Sequence, residues 1–367
     1  MSPGSIETAD LSAIESRLSD STPFGSYGYI SENVSAVYIE LLTLIAKQSS
    51  AAAKVLHMLG HVDDGCREVV FRDSLVRRTI EDGVCRIVQG IDTIEPTTLD
   101  ELLWATAENL VTVRRTLLNN AASCVPFRHR AHGNGYIWVD DQPSALPGRR
   151  FEQEILKRLP GFRIEIPTED QIQTLVAGER LASQVAPTLA RSAISHVFMV
   201  VVGEFQGGEH RFHALTMPGL PGLVVLSPKA LSSNVDMAET LLHESMHLKF
   251  LDIDYIHPLF APGFRQESSP RITPVWHQDK AGYGNWPIDR LLTSMHVYLA
   301  LAVFFGNAGN RVGEELYAPD DCAERAAGCK TRATWLFEAA QNYLEFLTAA
   351  GREFVASIGM MLAELDA

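Results

Sequence analysis

The sequence has no Cys-x-x-Cys pair, and its five cysteines, Cys66, Cys85, Cys124, Cys322 and Cys329, are an odd number. Such a set indicates neither a thiolate zinc site nor a disulfide framework. Positive charge is also short: 31 Lys and Arg face 45 Asp and Glu, a formal net charge of −14. That balance lacks the basic footprint of a nucleic-acid surface or of an anionic-membrane binder. Residues 1–22 contain no apolar run of the signal-peptide type. No stretch free of polar residues reaches membrane-spanning length; 297–305 is apolar but short. Together these absences predict a cytoplasmic protein whose partners are a peptide or small molecule, with no nucleic acid and no membrane.

What is present describes an ordinary globular chain. Its 367 residues, 46% of them hydrophobic, are enough for one large core or two. Helical periodicity runs over 33–59, 72–88 and 98–119, after a loose lead-in at 1–22. The segment 121–150 is rich in Gly, Pro, Arg and His and reads as a connecting loop. A boundary there separates an N-terminal helical region, 1–150, from a catalytic region, 151–367. The N-terminal helices would bind a substrate leader, support the core, or pair two chains as a homodimer. Beyond the boundary, 168–195 reads as helical. The run His196 to Val202 is of β type, and 212–216 and 223–226 follow as short strands between Pro-Gly turns. A Pro- and Gly-rich loop occupies 258–285. Pro287 then suits the first position of a helix running to about Phe305. Helical pattern continues over 323–365, with a break near Gly351. The expected fold class is α+β, predominantly α-helical, with a small β-sheet next to the helix described next.

That helix carries Leu241-Leu242-His243-Glu244-Ser245-Met246-His247. Residues i and i+4 share one helical face, so His243 and His247 can reach one metal ion, with Glu244 beside them. Ser233-Asn234-Val235-Asp236 reads as a capping box that starts the helix. A working site needs a third ligand and an open position. The residue six after His247 is Ile253, which excludes one familiar arrangement. Glu267 has the spacing of another, but lies in a loop-like stretch. His296, in the apolar helix after Pro287, is the preferred third ligand. Arg290, earlier in that helix, suits bidentate binding of a carboxylate. Trp276, His277, Lys280, Tyr283 and Trp286 make 274–286 a candidate binding loop or lid. His257, Asp252 and Asp254 could hold the ligands in orientation. On these residues alone the chemistry stays open. A zinc metallopeptidase would use Glu244 as general base on a zinc-bound water, with Glu267 or His296 as third ligand.

Residues 192–305 resemble the HExxH-type peptide-modification proteins, 2-oxoglutarate-dependent peptide β-hydroxylases of bacterial gene clusters for ribosomally made, modified peptides. The matching residues are Gly222-Leu223-Val224-Val225-Leu226-Ser227, then Ala238-Glu239 through His247-Leu248-Lys249, then Asp289-Arg290 and Met295-His296. The Pro274-Val275-Trp276 and Asp289-Arg290-Leu291 segments only approximate the family's elements, and the first 150 residues are not covered. The resemblance implies an Fe(II) centre held by His243, His247 and His296. It further implies 2-oxoglutarate on the iron with its far carboxylate met by Arg290, and dioxygen as co-substrate. Glu244 is then a ligand or a supporting residue. The implied reaction is hydroxylation of a side-chain β-carbon in a peptide or amino-acid-like substrate of a natural-product pathway.

Overall fold

The computed structural model describes residues 10–112, 117–118, 123–128, 135–140, 142–206, 212–277, 284–309 and 318–366. The chain opens with α1 (Leu11–Asp20), α2 (Tyr27–Ala46), α3 (Ser50–Leu59), α4 (Asp64–Arg72), α5 (Ser74–Gln89) and α6 (Pro96–Thr112). Strands β1 (Cys124–Arg128) and β2 (Gly135–Trp138), helix α7 (Leu146–Arg158) and strand β3 (Phe162–Glu165) follow. Then come α8 (Glu169–Val185), α9 (Pro187–Ile194), β4 (Met199–Phe205), β5 (Ala214–Thr216) and β6 (Leu223–Leu226). The last elements are α10 (Asn234–Ile256), α11 (Ile288–Gly309), α12 (Pro319–Gln341) and α13 (Ala349–Asp366). The protein is a predominantly helical α+β fold with one small mixed sheet.

Local chemistry sets many of these boundaries. Asp10, Ser49, Asp63 and Asp73 each accept a backbone N–H of the helix they precede, satisfying donors that the first turn leaves orphaned. Gly90 closes α5 in the left-handed conformation. Three sequence expectations are corrected. The lead-in contains α1, whose Ile14 and Leu18 are buried. The supposed loop 121–150 contributes β1, β2 and the start of α7, because its apolar residues Phe127, Ile137 and Trp138 are spent on the sheet and its core. The C-terminal break falls at 342–348, not near Gly351. Gly351 lies inside α13, where a Cβ would come within 2.1 Å of the Leu259 carbonyl oxygen. A glycine there marks a close backbone approach rather than a stop.

The fold divides into two compact units that interleave along the sequence. One comprises Met1–Tyr27, Arg180–Ile194 and Leu241–Ala367; the other comprises Gly28–Glu179 and Ser195–Thr240. The expected division at residue 150 follows neither unit, since packing partners come from distant parts of the chain.

The second unit contains the whole sheet. β4 is its centre, parallel to β2 and β6 and antiparallel to β3. β1 extends the sheet beyond β2, and β5 beyond β6, both antiparallel. Met199–Val202 and Leu223–Leu226 are buried on both faces. That is why they read as unbroken apolar runs rather than an alternation. At Gly203 a Cβ would meet the Arg163 carbonyl oxygen at 2.3 Å, so the β3–β4 pairing needs glycine there. In the first unit, α11 is long and apolar enough to cross a membrane by length and composition alone, and 78% of its apolar window is buried in the protein. Such burial is that of a core helix.

Candidate active site

Ser233 Oγ accepts the Asp236 N–H at 3.4 Å, so α10 starts where its capping sequence places it. From that start, His243 and His247 fall one turn apart on a half-buried face. Their ring centroids lie 5.0 Å apart, and their Nε2 atoms 3.2 Å apart. The Nδ1 atom of His247 is 3.0 Å from Thr293 Oγ1 on α11. This contact fixes the ring and leaves Nε2 directed at His243. Burial pushes the His247 pKa well below the usual histidine value, and the fields of His243 and Arg290 push the same way. The ring is therefore held in the neutral form that a metal requires.

These two residues fit a metal ion. With metal–nitrogen distances of about 2.1 Å, nitrogens 3.2 Å apart subtend about 100° at an ion between them. Without a metal, the same separation suits one ring N–H donating to the other ring. Glu244, next to His243, is 6% exposed and so sits inside the helix packing.

His296 and Glu267 are the other expected ligands. His296 is 2% exposed, and its ring meets Phe354 edge-on at 5.4 Å. It lines a cavity of about 10 Å³, the lower limit for one water, with Arg17, Ser21, Phe24 and Ser357. The α11 residue that meets the histidine pair is Thr293, one turn before His296. Glu267 is exposed in a short 3₁₀ turn, Gln266–Ser268. Among the described residues, no group of three or more His, Cys, Asp and Glu side chains converges to hold a metal. Asp254 caps the end of α10 by accepting the Leu259 N–H at 2.8 Å, and the His257 ring packs on Phe24. Thr293 holds the Nδ1 side of His247.

Arg290 lies on α11 one turn before Thr293, the residue that contacts His247. Its guanidinium carbon lies 4.5 Å over the Trp286 ring. Trp286 is buried and pinned by paired backbone hydrogen bonds with Ile272, at 2.9 and 2.7 Å. Trp276 meets Trp286, Tyr298 and Trp335 in edge-to-face contacts at 6.1, 6.0 and 5.4 Å. The loop 274–286 thus supplies two aromatic walls, although its residues 278–283, including Lys280 and Tyr283, lie outside the described residues. Burial raises the pKa of the Tyr298 hydroxyl, so it stays protonated.

Two residues after His247, Lys249 is completely buried. Its Nζ donates to the carbonyl oxygens of Leu18 and Gly25 at 2.5 and 2.6 Å, and to Ser192 Oγ at 2.8 Å. Three acceptors match the three N–H groups of an ammonium. Burial pushes the Lys249 pKa down to about 7, opposed by the field of Asp20. This side chain ties α10 to α1 and α9. Sequence reading passed over it, along with Thr293, Tyr298, Arg332 and Trp335. A lysine among apolar helix residues, and a threonine one turn before His296, were the signals available. No family model matches the chain, and no curated protein matches it.

Proposed function

We propose that this protein is an Fe(II)- and 2-oxoglutarate-dependent oxygenase that hydroxylates a side-chain β-carbon of a peptide or amino-acid-like substrate. The observation that carries the reading is the convergence of two imidazoles, His243 and His247, with Nε2 atoms 3.2 Å apart, and of a cation, Arg290, one turn from the Thr293 that holds His247. Nitrogen donors with open positions beside them are the ligand type of non-haem iron oxygenases. Bound iron, with 2-oxoglutarate and dioxygen, supplies the oxidising power for C–H hydroxylation.

The residues of the chain do the rest. His243 and His247 hold the metal through Nε2. Thr293 keeps the His247 ring turned so that this nitrogen stays available. Arg290 is exposed and forms no ion pair among the described residues, so its planar fork is free to accept the far carboxylate of 2-oxoglutarate. Trp286 supports the guanidinium from below and shields one side from water. His296 is the third ligand implied by the family resemblance, and metal titration of His296→Gln tests it. A large loss of iron affinity makes His296 a ligand; unchanged affinity with lower stability makes it a packing residue.

The deciding assay mixes the protein anaerobically with Fe(II), adds 2-oxoglutarate and oxygen, and measures succinate. Succinate from the wild type and none from His243→Ala is the expected result. Zn(II)-dependent peptide cleavage without succinate would overturn the reading and make Glu244 the general base of a peptidase.

A further inference from the structure

We propose that Arg332, Tyr298 and the Trp276 indole form a second anion subsite that binds a carboxylate of the substrate, so the substrate is an acidic peptide or amino acid. The proposal deepens the oxygenase reading and rests on it for the word substrate only. Arg332 lies on α12 with its guanidinium carbon 5.6 Å over the Trp276 ring and 5.3 Å over the Tyr298 ring. Arg332 is exposed, and among the described residues it forms no ion pair, in a chain of net charge −14. Most of its five N–H donors are therefore open to a ligand.

The surroundings shape those donors into a site. Trp276 and Tyr298 both lie against the guanidinium, which restrains it and removes water from its aromatic side. Trp335, one turn from Arg332 on α12, adds a wall at 5.4 Å from Trp276. The indole Nε1 of Trp276 is buried and has no hydrogen-bond acceptor. A donor left so is costly, and an acceptor supplied by a ligand would satisfy it. A carboxylate offers what this arrangement lacks: a flat group whose two oxygens take a guanidinium fork.

Position links this subsite to the first one. Arg290 lies over Trp286, Trp286 meets Trp276 at 6.1 Å, and Arg332 lies over Trp276, so one aromatic cluster joins the two cations. Arg290, one turn before Thr293 on α11, suits the co-substrate; Arg332, on α12, suits an acid group carried by the substrate. The plain alternative is that Arg332 only caps the aromatic stack.

Metal-free, full-length protein is titrated with N-acetyl-aspartate amide while tryptophan fluorescence is followed; three of the five tryptophans belong to this cluster. N-acetyl-asparagine amide and inorganic phosphate are titrated in parallel. We expect a saturable change with the aspartate probe, weakened about fivefold or more in Arg332→Gln and in Trp276→Phe, and retained within about twofold in Arg290→Gln. The asparagine probe should give no saturable change. Thermal melts of each variant check that the fold persists. The proposal is overturned by no response up to about 10 mM aspartate probe, by equal binding of the asparagine probe, or by tighter binding of phosphate. It is also overturned if a folded Arg332→Gln binds like the wild type, or if binding is lost only in Arg290→Gln. Succinate formation is measured separately, so acid binding without turnover would sink the oxygenase reading and leave the subsite standing.

Discussion

Two imidazole nitrogens 3.2 Å apart share either one proton or one metal ion. Thr293 biases that choice by holding Nδ1 of His247, which leaves Nε2 as the working atom. Thr293→Val keeps the volume and removes the hydroxyl. Metal affinity should fall by about tenfold, the usual effect of removing a group that orients a ligand, with little change in melting temperature. Isothermal titration of the metal-free variant with Fe(II) under anaerobic conditions measures this. Affinity equal to the wild type would show that Thr293 does not orient the ring. The histidine pair itself was legible in the sequence, because an i, i+4 spacing on a helix is a local property. Thr293 was not, because its partner lies 46 residues away and only the crossing of α10 and α11 brings them together.

Elements are held together here by buried charge as well as by apolar packing. Between α5 and α7, the carboxylates of Asp82 and Glu154 are 1% exposed and meet three guanidiniums. Arg150 lies 2.5 Å from Glu154 and 3.4 Å from Asp82, Arg78 pairs with Asp82, and Arg158 pairs with Glu154. Burial alone would raise the Glu154 pKa, but the hydrogen bond from Arg158 and the charges of Arg150 and Arg78 bring it below the ordinary value of 4.5. A carboxyl with a lowered folded-state pKa contributes stability at pH above 4.5 and loses it as pH falls through the folded value. Glu154→Gln should lose about 3 kcal/mol at neutral pH, since it leaves cations without their counter-charge. It should also flatten the loss of stability below pH 4.5, and urea unfolding across pH 3 to 7 measures both effects. A variant as stable as the wild type would contradict this account. The helical pattern of α5 and α7 was visible only in part, and the network between them not at all, because the pairs that join the two helices, Arg150 with Asp82 and Arg78 with Glu154, stand far apart in sequence.

Lys249 makes the same point inside the first unit. Its three acceptors belong to α1, the turn after it, and α9. Lys249→Met preserves length but leaves the Leu18 carbonyl without this donor. The expected cost is about 2–4 kcal/mol, read as a lower urea midpoint. An unchanged midpoint would mean that water replaces the ammonium at no cost.

At the scale of the whole molecule, the interleaving of the two units has a direct consequence. The unit that carries His243 and His247 includes the first helix, α1, at the far end of the sequence. Glu15 on α1 accepts the Thr188 N–H at 2.8 Å and the Asn307 side-chain amide at 2.9 Å, in addition to the contacts of Lys249. Deleting residues 1–27 should therefore disable the histidine unit, although the cut lies more than 200 residues before the motif. Size-exclusion chromatography and metal titration of the truncated chain are the check. A truncated protein that binds metal like the full chain would mean that α1 is dispensable.

The sequence by itself determined the features that are local or nearly so. These are the helical bias, the apolar strands of the sheet core, the start of α10 at its cap, and the metal-capable pair on one helical face. Each depends on residues a turn or a strand apart, where spacing fixes geometry. Tertiary structure decided which distant residues meet. It put Thr293 against His247, set Phe354 against His296, gave Lys249 its three acceptors, and brought Arg332 over Trp276 and Tyr298. The physical reason is that these meetings follow from how helices cross and pack. A crossing is set by the combined burial of many side chains, which no single spacing in the sequence encodes.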